Sequence, residues 1–254
     1  MQTIQSKIEM FHLLFLRQLE NHLDKKLYAL NGGCNLRFFF KSIRYSENID
    51  LDVTIILKTT LENKINKILQ SPNFNRIVQS KGIEIVRSCA VKQTETMQRW
   101  KVLLGDKTSA ISIPTKIEFS RRQMDENIAY AAVDVDVINQ YSLYPIICNH
   151  YTADSAFLQK VSALINRTET QARDVFDLKW LLDQGANVNL NKFSFEEIEL
   201  AIKNAQGIEY ADFKGQVVTY LVEEYKEFYD SQEKWDEIRT QVITTLKGYE
   251  DATY

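Results

Sequence analysis

Apolar residues along the chain recur at two distinct periods, and the change between them outlines its organisation. Ile4, Ile8, Phe11, Phe15 and Leu19 are spaced by three and four, one stripe of an amphipathic helix over residues 4–23. The run "LYAL" then stops at Asn31-Gly32-Gly33, the pattern of a buried strand entering a tight turn. No breaker interrupts Leu36 to Ile43, so a helix is expected directly after the glycines. In "NIDLDVTIIL" the period falls to two: Ile49, Leu51 and Val53 share one face and Asp50, Asp52 and Thr54 the other. Leu61 to Leu69 returns to helix and stops near Ser71-Pro72. "IEIV", "RWKVLL" and "AISIPTKIEF" predict further strands, the last interrupted at Pro114, for a sheet of five or six strands.

Beyond Pro145 only the helical period remains. Phe157, Val161, Leu164 and Ile165 form one stripe. Thr168 to Gln171 fits a capping box opening a second helix that carries Val175, Phe176, Leu178, Leu181 and Leu182 and ends at Gly185. Helices are expected to start near Ser194, Tyr210 and Ser231. The expected architecture is α+β: a mixed sheet flanked by helices over residues 1–145, followed by a helical bundle over 146–254.

Composition narrows the class. Hydrophobic content of 44% and charged content of 26% are those of a globular protein, and three prolines with eight glycines leave no long flexible linker. A net charge of −3 argues against a general nucleic-acid coat, although Arg121 and Arg122 could belong to a local basic groove. Cys34, Cys89 and Cys148 have neither zinc-ligand nor disulfide-framework spacing. The N-terminal cluster "MFHLLFL" is too short to span a bilayer and lacks the flanks of a secretory signal, so a cytoplasmic protein with no membrane partner is expected. His12, His22 and His150 have no acid or nucleophile at a telling spacing and are read as non-catalytic.

Candidate chemistry concentrates between Asn31 and Val53. Glycines at a strand-to-helix junction let backbone approach a ligand while the helix N–H groups face an anion, although most such pairs are only tight turns. Asp50 and Asp52, i and i+2 on a strand, bring two carboxylates to one face. That pair suits Mg²⁺, which takes one or two carboxylates plus phosphate oxygens; the alternative is a solvated edge strand. A third acid would complete a two-metal site, with Glu118 preferred and Asp134 or Asp136 as rivals.

The run "GGCNLRFFFKSIRYSENIDLDV" resembles the opening signature of the AbiEii/AbiGii abortive-infection toxin family, within the polymerase-β-like nucleotidyltransferase superfamily. Gly32, Gly33, Arg44, Ser46, Ile49, Asp50 and Leu51 fit it; Asn48 stands where the first aspartate belongs, and Cys34 where a Ser or Thr is usual. Asp52 could supply the missing carboxylate. The downstream run "QKVSALINRTETQARDVFDLKWLL" is similar to the family's second signature, with Lys160, Ala163, Leu164, Arg167, Arg173, Asp174, Asp177 and Leu178 in its places.

The resemblance implies an active site between the two halves. Asp50 and Asp52 would hold Mg²⁺ (or Mn²⁺) and an NTP, with Glu118 as the third metal ligand. The Gly32-Gly33 turn with Cys34, Arg44 and Ser46 would cradle phosphates, and Lys160 would neutralise the triphosphate. Asp174 would be a base or an orienting group, supported by Arg173 and Asp177. The implied activity is transfer of an NMP to an acceptor hydroxyl, with RNA or tRNA as acceptor. A role as toxin paired with an antitoxin protein also follows. The alternatives are a small-molecule or protein acceptor, and a non-catalytic NTP-binding protein on the same fold.

Overall fold

A computed structural model of the chain describes residues 3–106, 109–122, 124, 127–187 and 189–251. The chain divides into two compact units, Met1–Phe39 with Tyr45–Tyr151 and Phe40–Arg44 with Thr152–Tyr254.

The first unit is built on a seven-stranded mixed sheet. Its strands are β1 (Tyr28–Asn31), β2 (Asn48–Val53), β3 (Ile83–Gln93), β4 (Met97–Asp106), β5 (Ser109–Arg121), β6 (Ile128–Ala132) and β7 (Ile147–Tyr151), in the order β3-β4-β5-β2-β1-β7-β6. β2 runs parallel to β5 and β1 parallel to β7, while the remaining neighbours are antiparallel. Alternation gives each central strand one apolar face. Ile49, Leu51, Val53, Trp100, Val102, Leu104, Ile117 and Phe119 are buried in a core shared with α1 (Ile4–His22), α3 (Lys58–Leu69) and α4 (Pro72–Ser80). The intervening residues Asp50, Arg99, Lys101, Lys116 and Glu118 project from the opposite face, less buried than their neighbours.

Helix α1 is N-capped by Thr3, whose hydroxyl accepts from the Ser6 amide at 3.1 Å. Its buried stripe holds Ile8, Phe11, Phe15 and Leu19, whereas Ile4 at its head is exposed. Helix α2 (Gly32–Phe39) begins at the first glycine rather than directly after the second. Pro114 does not interrupt β5, contrary to the sequence expectation. It pairs with Leu103 on the β4 side, while pairing to β2 begins only at Lys116. At Pro114 the strand therefore has one neighbour, an edge position of the kind at which proline is tolerated. The sheet also extends further than expected, because β7 pairs with β1 and carries the first unit to Tyr151.

The second unit comprises α6 (Ala153–Asn166), α7 (Ala172–Asp183), α8 (Phe195–Gln206), α9 (Tyr210–Gln216), α10 (Glu223–Tyr229) and α11 (Gln232–Asp251). An aromatic cluster of Phe176, Phe213 and Trp235 fills its centre, with Phe213 stacked on Trp235 at 4.8 Å. Ser194 and Glu197 cap α8 reciprocally. The capping box expected at Thr168 is absent: α7 starts at Ala172, whose amide donates to Gln216 Oε1 at 2.8 Å. A partner remote in sequence thus sets this helix start. The segment Phe40–Arg44 is threaded into this unit, with Trp180 Nε1 donating to the Phe40 carbonyl at 2.7 Å and the Val222 amide to the Ile43 carbonyl at 2.9 Å. No helix among the described residues is long and apolar enough to cross a membrane.

Candidate active site

The turn from β1 into α2 is built on Asn31 and Gly32. The Asn31 side-chain oxygen accepts from the Gly32 amide at 2.5 Å, and Gly32 sits at φ +66°, where side-chain-bearing residues are strained. A second constraint is independent of φ. A Cβ at position 32 would lie 2.7 Å from Oδ2 of Asp50. The backbone thus passes within contact of the carboxylate only because no side chain intervenes. Gly33 is buried in the first turn of α2, whose leading amides lack intrahelical acceptors.

Gly32 and Gly185, both at positive φ, separate these effects, since a Cβ at Gly185 meets nothing within 4 Å. Gly185→Ala is expected to cost only the left-handed backbone penalty, about 1–2 kcal/mol. Gly32→Ala is expected to cost more and to weaken nucleotide binding, which Gly185→Ala leaves unchanged. Thermal melts with and without NTP measure both.

Asp50 and Asp52 share the open face of β2, opposite Asn31 and Ala29 of β1 respectively. Asp52 is buried, and burial pushes its pKa above the usual 3.8. The Arg122 guanidinium at 3.3 Å, the Tyr151 hydroxyl at 2.7 Å and the Asn31 amide at 3.3 Å pull it back only in part. Asp52 is therefore a carboxylate held in place by two neutral donors and one exposed cation. Glu118 lies directly across from Asp50 in the parallel β2–β5 register, and its Oε2 accepts from Arg99 at 2.9 Å. Asp134 and Asp136 are not a strand pair: Asp134 caps α5 (Val135–Gln140), accepting from the Asp136 amide at 2.9 Å. Of the acids weighed for a third position, only Glu118 lies in register with Asp50. Among the described residues no three His, Cys, Asp or Glu side chains already close around a common point. The donor set fits a divalent cation that takes two carboxylates here and completes its shell from phosphate oxygens and water.

Two signature residues hold the start of β2. The Asn48 carbonyl accepts from Ser46 Oγ at 2.8 Å and from the buried Cys34 thiol at 3.3 Å. Position 34 thus ties α2 to β2 through the thiol. Cys34 also lies 3.6 Å from His12 Nδ1, and His12 Nε2 meets Thr115 Oγ1 at 2.8 Å. Burial lowers the His12 pKa to about 3 and that of His150 to about 4, so both are neutral at pH 7. His150 stacks on Phe39 with centroids 3.6 Å apart. These histidines are packed and hydrogen-bonded within the fold.

The second unit gathers the downstream signature into one buried network. Lys160 Nζ lies 3.0 Å from Asp174 Oδ1 and 2.6 Å from Asp177 Oδ2. Arg44 grips Asp177 with Nε and Nη2 at 2.8–3.1 Å, and Arg167 reaches Asp174 Oδ2 at 2.7 Å. Burial pushes the Asp177 pKa up, but Arg44 and Lys160 outweigh it and hold the carboxyl below its usual range. Three cations around two carboxylates leave one net positive charge. Arg44, expected at the phosphates, instead joins the first signature to the second through Asp177. Arg173 is half-buried on α7 and outside these ion pairs. Sequence reasoning did not find Tyr151, Asn31 or Arg99, none of which stands at a spacing that marks it as a partner of an acid.

Comparison with known proteins bears on the fold and the family. Over the whole length the fold is similar to the crystal structure of JHP933 from Helicobacter pylori (15% identity, TM-score 0.59, covering 100% of this chain and 97% of that one). It is likewise similar to a putative nucleotidyltransferase from H. pylori (16% identity, TM-score 0.61, 98% and 99% covered). MenT4, a nucleotidyltransferase toxin from Mycobacterium tuberculosis H37Rv, is similar at 12% identity and TM-score 0.57, with 94% and 86% covered. A comparison with curated proteins finds no match. The family model described as "Nucleotidyl transferase AbiEii toxin, Type IV TA system" matches residues 14–244, and the chain therefore belongs to that family of toxin nucleotidyltransferases.

Proposed function

We propose that this nucleotidyltransferase transfers a nucleoside monophosphate from a metal-bound NTP to a hydroxyl of RNA, a tRNA 3′ end being one case. The observation that carries the reading is the Asp50–Asp52 pair beside a glycine turn whose Cβ would strike Asp50. In this reading Asp50 and Asp52 hold Mg²⁺ or Mn²⁺, with Glu118 joining once it leaves Arg99. When bound, such a cation neutralises charge that develops on the transferred phosphoryl group. Gly32 lets the backbone approach closely, the leading amides of α2 from Gly33 onward face the phosphates, and Asn31 and Tyr151 keep Asp52 oriented.

The acceptor oxygen forms a bond to the α-phosphorus, the bond to pyrophosphate breaks, and the hydroxyl proton leaves with a nearby base or water. Within the second unit, Asp174 and Asp177 orient the ammonium group of Lys160. An antitoxin is the counterpart that membership of a toxin–antitoxin family implies.

The test is incubation with each labelled NTP in the presence of total RNA, protein and small acceptors. Wild type is expected to release pyrophosphate and label RNA 3′ ends, and Asp50→Ala to do neither. Label in protein or in a small molecule would reassign the acceptor. Nucleotide binding without pyrophosphate release would replace catalysis with a binding role.

A further inference from the structure

On the same face of the sheet as Asp50 and Glu118 lies a recess of about 610 Å³, within the range of ligand-sized pockets. Three cations line it: Lys116 on β5, Lys101 on β4 and Arg87 on β3. Lys116 stands directly opposite Lys101, and Lys101 opposite Cys89, two residues from Arg87. The three charges therefore step diagonally across neighbouring strands, with Cβ spacings of roughly 5 Å for the opposed pair and roughly 7 Å for the diagonal one. Among the described residues none of the three forms an ion pair; the only acid lining the recess is Glu47. Between the cations the surface is apolar, formed by Val91, Leu103 and Pro114.

The row continues to the acids. Lys116 is opposite Asn48, and two residues further along the same pair of strands Glu118 is opposite Asp50. We infer that this recess is the acceptor subsite, and that its occupant is an unpaired polynucleotide strand running from β3 towards Asp50. Backbone phosphates suit cations stepped at these intervals, and the apolar patches between them suit the faces of exposed bases. A recess of this size takes in an unpaired strand, whereas a duplex keeps its bases inside. With no aromatic platform in the lining, recognition rests on phosphates and tolerates base sequence. The inference rests on the proposed transfer to RNA and adds where and in what form that RNA binds.

The experiment measures binding of a labelled single-stranded oligoribonucleotide by fluorescence anisotropy as salt is varied. Wild type is compared with Arg87→Glu/Lys101→Glu and with the charge-preserving Arg87→Lys/Lys101→Arg. Both positions are exposed on a strand surface, and Arg87→Gln/Lys101→Gln serves if the reversal impairs folding. The reversal is expected to weaken oligonucleotide binding at least tenfold and to flatten the salt slope by about 0.7 for each phosphate that is no longer neutralised. Affinity for NTP should stay unchanged, and the charge-preserving variant should bind like wild type. Asp50→Ala should show the opposite pattern, losing NTP and keeping the oligonucleotide. Wild-type RNA labelling with an unaltered KM in the reversed variant would overturn the subsite alone. Equal preference for a duplex, or label found in protein, would overturn the occupant, and the latter would also overturn the RNA reading.

Discussion

Asp177→Ala is expected to destabilise the second unit by about 3–5 kcal/mol, the usual cost of removing one partner of a buried ion pair. The size follows from what is left behind. Arg44, almost wholly buried, loses both ends of its fork, and Lys160 keeps only Asp174. Asp174→Ala should cost less, because its second partner, Arg167, is more than a third exposed and can turn to water. The pH dependence has a definite sign. Asp177 has a folded pKa below its ordinary 3.8, so its contribution is fully present above that value and is lost as pH falls through the depressed one. Wild type should therefore lose stability on acidification below about pH 4, and Asp177→Ala should lack that part of the acid transition. Denaturant melts of both proteins between pH 7 and pH 3 measure the two effects. Equal midpoints at pH 7 would show that Arg44 and Lys160 are satisfied without Asp177.

How far the sequence was readable depends on whether an element is specified locally. Alternation exposes β2 because its apolar and acidic residues occupy strictly opposite faces, and that reading already brings Asp50 and Asp52 together. Ser194-x-x-Glu197 likewise announces α8, since both capping partners lie within one turn. Local reading fails where the partner is distant. Thr168 and Gln171 carry capping-box chemistry, yet α7 starts at Ala172 because Gln216 meets its amide. Pro114 looks like a break until β5 is seen to lack its second neighbour there. Asp134-x-Asp136 has the spacing of a strand pair, but the helical turn that follows makes Asp134 a cap. The site divides in the same way. Spacing reveals the acids, whereas Tyr151, Asn31 and Arg99 become their partners only through strand pairing, and Arg44 meets Asp177 across 133 positions.

Asp50→Ala and Asp52→Asn are expected to abolish transfer alike, by about 10³-fold or more, while moving stability in opposite directions. The rate loss follows from the proposed function, in which a metal held by these carboxylates would contribute several kcal/mol of charge stabilisation to phosphoryl transfer. The divergence comes from their surroundings. Asp52 is buried, and its raised pKa means that the fold favours its neutral form. Stability is thus lost as pH rises through the raised value, and above it a neutral amide at position 52 relieves that cost. Asn at 52 can still accept from the Tyr151 hydroxyl and the Asn31 amide, giving up only the exposed Arg122. Asp52→Asn should therefore melt at or above the wild-type temperature at pH 7–8, whereas Asp50→Ala, which opens space beside Gly32, should not. Mg²⁺ with NTP should raise the melting temperature of wild type and leave both variants unmoved. In the proposed function metal and nucleotide bind the ionised carboxylate, so wild-type nucleotide affinity should fall on acidification at a higher pH than an ordinary aspartate would dictate. An Asp52→Asn protein that melts well below wild type yet still responds to Mg²⁺ and NTP would make Asp52 a structural residue and leave Asp50 as the metal-holding acid of β2.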